Sequence, residues 1–196
     1  MTDFQLILAS SSPYRKALLN KLQLPFLCRS PDIDEKPLNN EPPEQMTKRL
    51  TIAKAAAVAQ SYGGTNHLII SSDQVASLKG QLLGKPGNFQ NAQQQLRASS
   101  GNTVVFYTGL CVWNCKTKEH LYEASQTKVT FKTLTDQTIS RYLQIDQPFD
   151  CAGSFKCESL GIALFSKLET DDPNSLIGLP LIRLVDMLER MEVKVL

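Results

Sequence analysis

The sequence predicts an α/β protein of mixed α+β character: a single domain, residues 1–196, with one central, mixed and twisted sheet flanked by helices on both faces. Three observations lead there. Short apolar runs of strand length alternate with longer stretches of helical periodicity along the chain. Two long alternating segments, 103–113 and 123–132, follow one another as an antiparallel pair would. Neither a Gly/Ser linker nor a compositional break divides the 196 residues, a length that supports one sizeable core.

Taken in order, Phe4 to Ala9 is a short strand, and the serines after it lead into Pro13, which suits the first position of a helix running to about Leu22. Ser12 is its cap. Gln23 to Ser30 returns as a strand, and Pro31 to Pro43 is a polar loop carrying Asp32-Ile33-Asp34-Glu35. A long helix spans Glu44 to Tyr62, with Met46, Leu50, Ala53 and Ala57 at helical spacing and Lys54 one residue on from that face. His67 to Ile70 is the central strand, Val75 to Leu78 a continuation after it, and Leu82 to Gly87 a glycine-proline turn. Phe89 to Ser99 is a helix closed by Gly101, Thr135 to Gln144 a further amphipathic helix, and Leu179 to Met191 the last one.

Composition narrows the function. With 21 basic and 19 acidic residues the net charge is +2, which supplies no global field for gripping nucleic acid. Met1 to Leu8 carries neither a basic lead into a long apolar segment nor a small-residue cleavage site, and no window approaches a membrane span, so a soluble cytoplasmic protein is expected. The 5 cysteines are an odd count that fits reduced thiols better than a disulfide framework. Cys111 and Cys115 flank Val112-Trp113-Asn114 on a strand, too far apart for an ordinary chelate, and His67 and His120 have no ligand neighbours in sequence. A homodimer is the base-rate expectation for assembly.

Candidate chemistry begins at Asp73, an acid placed directly after the apolar run His67-Leu68-Ile69-Ile70. At a strand end it would face the crevice where open α/β sheets bind ligands. Ser10, Ser11 and Ser12 at a strand-to-helix turn bring hydroxyls, backbone amides and a helix dipole together as an anion site, and Arg15 can reach back to the anion in bidentate fashion. Lys54 stands among small alanines that let a ligand come close, and Lys85 in Gly84-Lys85-Pro86 is an ammonium held in a rigid turn. Lys156 is a third cation of this kind. Glu35 and Asp73 are the acids suited to a divalent cation, since magnesium keeps waters and takes one or two carboxylates plus phosphate oxygens; Asp34 is the alternative to Glu35. Serine and cysteine nucleophile schemes lack a suitably placed histidine. Each of these features also has an ordinary structural explanation when taken alone.

Together they resemble the Maf family of nucleoside triphosphate pyrophosphatases from Leu6 to Pro180. The matching segments are Leu8-Ala9-Ser10-Ser11-Ser12-Pro13 with Arg15, Asp34-Glu35, Ala53-Lys54-Ala55, Ser72-Asp73-Gln74, Gly84-Lys85-Pro86, Thr108-Gly109, Ala152-Gly153-Ser154-Phe155, and Gly178-Leu179-Pro180 after Asp172-Pro173-Asn174. The resemblance implies a Maf/ITPase-like fold and a house-cleaning hydrolase that cuts a nucleoside triphosphate between its α and β phosphates with a divalent cation, Mg2+ or Mn2+. It implies Asp73 as proton acceptor for the attacking water, with Ser10, Arg15, Glu35, Lys54 and Lys85 as the phosphate and metal shell.

Asp73-Gln74, where another branch of the family has Asp-Thr, together with Glu158 resembles the branch assigned to 7-methyl-GTP. Tyr14, Gln74 and Glu158 would then be its specificity positions. A 7-methylguanine ring is cationic, so an aromatic face and a carboxylate suit it. Tryptophan is associated with the Tyr14 position in this branch, and a phenol stacks less strongly, so weaker or less selective binding is expected. Two other expectations stay open: the same reaction on dTTP, UTP or an unmodified purine nucleotide, and a non-catalytic nucleotide-binding regulator of cell division.

Overall fold

A computed structural model describes residues 4–196; Met1 to Asp3, part of the N-terminal segment read above for a leader, lie outside the described residues. In chain order the elements are β1 (Gln5–Leu8), α1 (Pro13–Asn20), β2 (Phe26–Cys28), α2 (Pro43–Ala59), β3 (His67–Leu78) and β4 (Gln81–Leu83). They continue as α3 (Phe89–Ser99), β5 (Thr103–Asn114), β6 (His120–Phe131), α4 (Asp136–Asp146), β7 (Phe165–Glu169) and α5 (Leu181–Arg190). The strands form one 7-stranded sheet in the order β2-β1-β3-β5-β6-β7, with β4 paired to β3. It is mixed, as expected: β1 runs parallel to β2 and β3, while β3–β4 and β6–β7 are antiparallel. β5 and β6 are neighbours joined through residues 115–119, too short a link for a parallel crossover.

The chain divides into two compact units. The first comprises residues up to Asp73 with 108–125 and 172–196, the second 74–107 and 126–171. In the first, strand alternation sorts the core between two faces. Leu6, Leu8, Leu68 and Ile70 pack with Leu18 and Leu19 of α1 and Leu184, Met187 and Leu188 of α5. Ile7, Ala9 and Ile69 pack with Ala55, Val58 and Ala59 of α2. Helices therefore cover both faces of β1 and β3, and each fully buried leucine or isoleucine contributes about 1.5–3 kcal/mol. In the second unit α3 packs on α4, and Phe106, Phe131, Phe155 and Phe165 meet edge to face with centroids 4.7 to 5.5 Å apart.

Several elements differ from expectation. β3 is one strand of 12 residues, so Asp73 sits inside it and not at its end. β2 is shorter than Gln23 to Ser30, and β4 occupies the start of the expected glycine-proline turn. On α2 the buried stripe is Thr47, Leu50, Thr51, Lys54, Ala55, Val58 and Ala59; Ala53 and Ala57 flank it, and Lys54 lies on it. Alanines give a hydropathy pattern little contrast, and the threonines on the stripe look polar in sequence yet pack well against a strand.

Candidate active site

The register of β1 against β3 explains why Asp73 is available. The two strands pair as far as Leu8 and Ile70, the Ala9 amide donates to the Ile70 carbonyl at 2.8 Å, and the chain then turns away into α1. Asp73 thus lies past the carboxyl end of β1 while β3 itself continues. The crevice rule applies to the strand beside it.

Alternation along β3 then sends neighbouring side chains to opposite faces. Toward α2, the Ser71 hydroxyl donates to the Thr51 carbonyl at 2.7 Å, and Asp73 Oδ1 accepts from Lys54 Nζ at 2.5 Å. Lys54 and Asp73 are both buried, at 5% exposure each, and the same ammonium lies 3.0 Å from Oε1 of the exposed Glu35. Close approach of α2 depends on Gly109 of β5, where a Cβ would overlap the Thr51 hydroxyl and touch the Thr47 methyl at 3.1 Å. On the opposite face, the Ser72 hydroxyl is 2.7 Å from the Gly109 carbonyl and 2.8 Å from the Gly178 carbonyl. The Gly178 carbonyl also accepts from Arg15 Nε at 2.8 Å.

Arg15 is half-buried, and burial draws its pKa below the ordinary guanidinium value while Asp73 and Glu35 pull it back up. Its two terminal nitrogens have no protein hydrogen bond among the described residues, which leaves their donors available to an anion. The α1 N-terminus is partly committed already. Ser12 Oγ accepts from the Arg15 amide at 3.4 Å, as the expected cap, and Ser10 Oγ accepts from the Ser12 amide at 3.1 Å. Their hydroxyl protons, not those amides, are what this turn offers an anion. Tyr14 stands half-buried in the first turn of α1.

Glu35 sits on a loop that is itself tied down. Arg49 of α2 clamps Glu41 in bidentate fashion at 2.6 and 2.7 Å and donates to the Lys36 carbonyl at 3.0 Å. The Arg49 bond holds the Glu41 carboxyl down to about 2. Asp34 turns away to the Lys36 amide at 3.0 Å, so Glu35 is the acid paired with Lys54.

The second unit carries Gln74, Lys85 and Glu158. Gln74, half-buried, follows Asp73 on β3. The turn holding Lys85 is rigid: Asn91 donates to the Pro86 carbonyl at 2.9 Å, Gln95 to Gly84 at 3.1 Å, and the Gly87 amide to Phe149 at 2.9 Å. Lys85 is exposed. Glu158 is exposed as well, on a segment pinned at both sides by α4: the Tyr142 hydroxyl accepts from the Lys156 amide at 3.0 Å, and Asp146 Oδ1 accepts from Ser159 Oγ at 2.7 Å. Lys156 helps to hold that segment, its ammonium donating to the Asp146 carbonyl at 3.0 Å. Burial and the adjacent Glu158 push the Cys157 thiol up to about 12, which keeps it protonated.

The first unit therefore brings Arg15, Glu35, Lys54 and Asp73 together, with Ser10 at the mouth of α1. No group of three or more His, Cys, Asp and Glu that could hold a metal ion is present among the described residues. Glu35 and Asp73, joined by one ammonium, are the two carboxylates that could hold a hard cation able to complete its shell with water and phosphate oxygens. Sequence reasoning missed the parts played by Ser72, Gly109 and Gly178, whose only signal was their place within the ordered segments, and that of Asp146, which lies outside them.

A scan against protein-family models matches Maf-like protein over residues 5–191. The chain belongs to the Maf family. Similar Maf-sized relatives named 7-methyl-GTP pyrophosphatase include one from Vibrio vulnificus, 50% identical over 196 residues and covering 100% of both chains. One from Colwellia psychrerythraea is 51% identical over 97% of this chain and 94% of its own, and one from Nitrosococcus oceani 54% identical over 94% and 92%. Among solved structures, the Staphylococcus aureus Ham1 protein superposes with a TM-score of 0.48 and 11% identity over 66% of this chain and 72% of that one. All of the segments that carry the Maf resemblance lie inside the matched span. Among the described residues of this Maf protein, no helix is long and apolar enough to cross a membrane.

Proposed function

We propose that this Maf protein hydrolyses 7-methyl-GTP to 7-methyl-GMP and diphosphate, clearing a modified nucleotide from the cytoplasm. The observation that carries the reading is the buried Lys54–Asp73 pair, bordered by Glu35 and by an Arg15 fork whose terminal nitrogens have no hydrogen bond among the described residues. The relatives bearing that activity in their names are about half identical over nearly the whole chain.

Lys54 fixes Asp73 through Oδ1, leaving the second carboxylate oxygen to take a proton from water. The water oxygen attacks the α-phosphorus, the bond to the α–β bridging oxygen breaks, and diphosphate leaves with that oxygen. Arg15 and Lys85 offset the charge of the triphosphate, and the Ser10 hydroxyl donates to it. Glu35 and Asp73 would hold a divalent cation, Mg2+ or Mn2+, which when bound neutralises phosphate charge and polarises the anhydride. Tyr14 offers a face to the cationic base, while Gln74 and Glu158 accept and donate at its edge; Glu158 suits the guanine N1 and 2-amino donors, a pattern no pyrimidine presents.

The test is diphosphate release by the purified protein with magnesium and then with chelator, across 7-methyl-GTP, GTP, dTTP, UTP and CTP. Metal-dependent release led by 7-methyl-GTP is expected. Turnover led by dTTP or UTP overturns the base assignment and keeps the chemistry, equal turnover in chelator overturns the cation, and no turnover overturns the enzyme.

A further inference from the structure

From the geometry of the turn at residues 172–178, we infer that Asp172 and Gly178 are positioning residues that aim the Arg15 guanidinium; the inference rests on reading Arg15 as a phosphate-binding group. Asp172 is buried, at 1% exposure, and its carboxylate bonds in two directions. Oδ1 accepts from the Asn174 amide at 3.0 Å, and Oδ2 accepts from the Ile182 amide at 2.8 Å, in the first turn of α5. Pro180, which flanks α5, supplies no side-chain cap, so a carboxylate from well upstream serves as one.

The turn is then locked to the strands. Ser175 donates its amide and its hydroxyl to the Asp172 carbonyl, at 3.0 and 2.7 Å, and the Thr108 hydroxyl of β5 donates to the Ser175 carbonyl at 3.0 Å. The Gly178 amide returns to Ser175 at 2.9 Å, and Gly178 adopts a φ of +117°, where a side chain would be strained. A Cβ there would also press on Arg15 Nε at 3.3 Å. The result is one carbonyl, aimed by a buried acid, that receives both Arg15 Nε and the Ser72 hydroxyl.

That arrangement has two effects. With Nε engaged, the plane of the guanidinium is set and its terminal nitrogens are presented together, so less rotamer freedom is lost when an anion binds. Ser72 immediately precedes Asp73, so the same carbonyl registers the Arg15 fork against the strand that carries the proton acceptor. A capping role alone would require no bond from the end of the turn to α1 and β3.

The test is a double-mutant cycle on kcat/KM for diphosphate release from 7-methyl-GTP, using Asp172→Asn and Arg15→Ala. Asp172→Asn should lower kcat/KM about tenfold in the wild-type protein and less than about twofold in the Arg15→Ala background. Equal factors in both backgrounds, as a merely structural loss would give, overturn the inference, as does an unchanged kcat/KM in the single variant. Thr108→Val, which takes away the hydroxyl that donates to the Ser175 carbonyl, runs the same cycle with a smaller first step where Asp172→Asn does not fold. Failure of the underlying reading is distinguishable: Arg15→Ala alone would then keep the wild-type kcat/KM.

Discussion

The two compact units handle charge in opposite ways. In the first, the acid and the lysine assigned to the chemistry are buried on a strand and a helix, with Asp73 and Lys54 bonded at 2.5 Å. In the second, Lys85 and Glu158 are exposed side chains on loops, and only the backbone beneath them is fixed, by Asn91 and Gln95 in one case and by Tyr142 and Asp146 in the other. A proton acceptor needs a set orientation before substrate arrives, which burial and pairing provide. A group that selects a base acts through contact with that base, so a stable platform suffices and the side chain can stay in water until binding. The lesson is that reaction and selectivity here should respond separately to mutation.

Asp73→Asn is the sharpest way to break that comparison. It keeps a side chain of the same shape opposite Lys54 but removes the proton acceptor, so kcat should fall roughly 10^2- to 10^4-fold for every nucleotide, checked by single-turnover diphosphate release. A fall confined to one base would merge the two roles. Glu158→Ala should have the complementary effect, lowering the preference for 7-methyl-GTP over dTTP about tenfold with kcat on dTTP unchanged, measured as relative kcat/KM. Loss of turnover on all nucleotides would instead move Glu158 into the reaction itself.

The smallest effect sharpens the one exception in the first unit. Glu35 is an exposed loop acid like Glu158, and its loop is held by Arg49 and Glu41. The Arg49 bond holds the folded-state pKa of Glu41 at about 2, below its ordinary 4.5, so its contribution to stability is present above about 4.5 and is lost as pH falls toward 2. Glu41→Gln should flatten this part of the acid limb of the unfolding curve, read from denaturant midpoints across that pH window, and should raise KM modestly through a looser Glu35.

Local chemistry was legible where it is encoded locally. Pro13 and Ser12 mark the start of α1, the boundaries of α3 follow from its own periodicity, and the Gly84-Lys85-Pro86 turn is rigid as its composition suggests. β7, five residues with most of its side chains in water, offers little pattern to find. The ordered segments also contained most residues of the candidate site, whereas the bond that ties Lys156 to the Asp146 carbonyl leaves no mark in sequence.

The sequence by itself determined which residue types are present, their order, and the strand and helix periods that give β1 and β3 a core on both faces. Tertiary structure decided which side chains meet. Lys54 reaches Asp73 only because Gly109 lets α2 approach β5 closely, and Arg15 is aimed by a carbonyl 163 residues away that a buried Asp172 holds in place. Such contacts depend on distances across the sheet, and hydropathy along the chain contains periods but no distances of that kind.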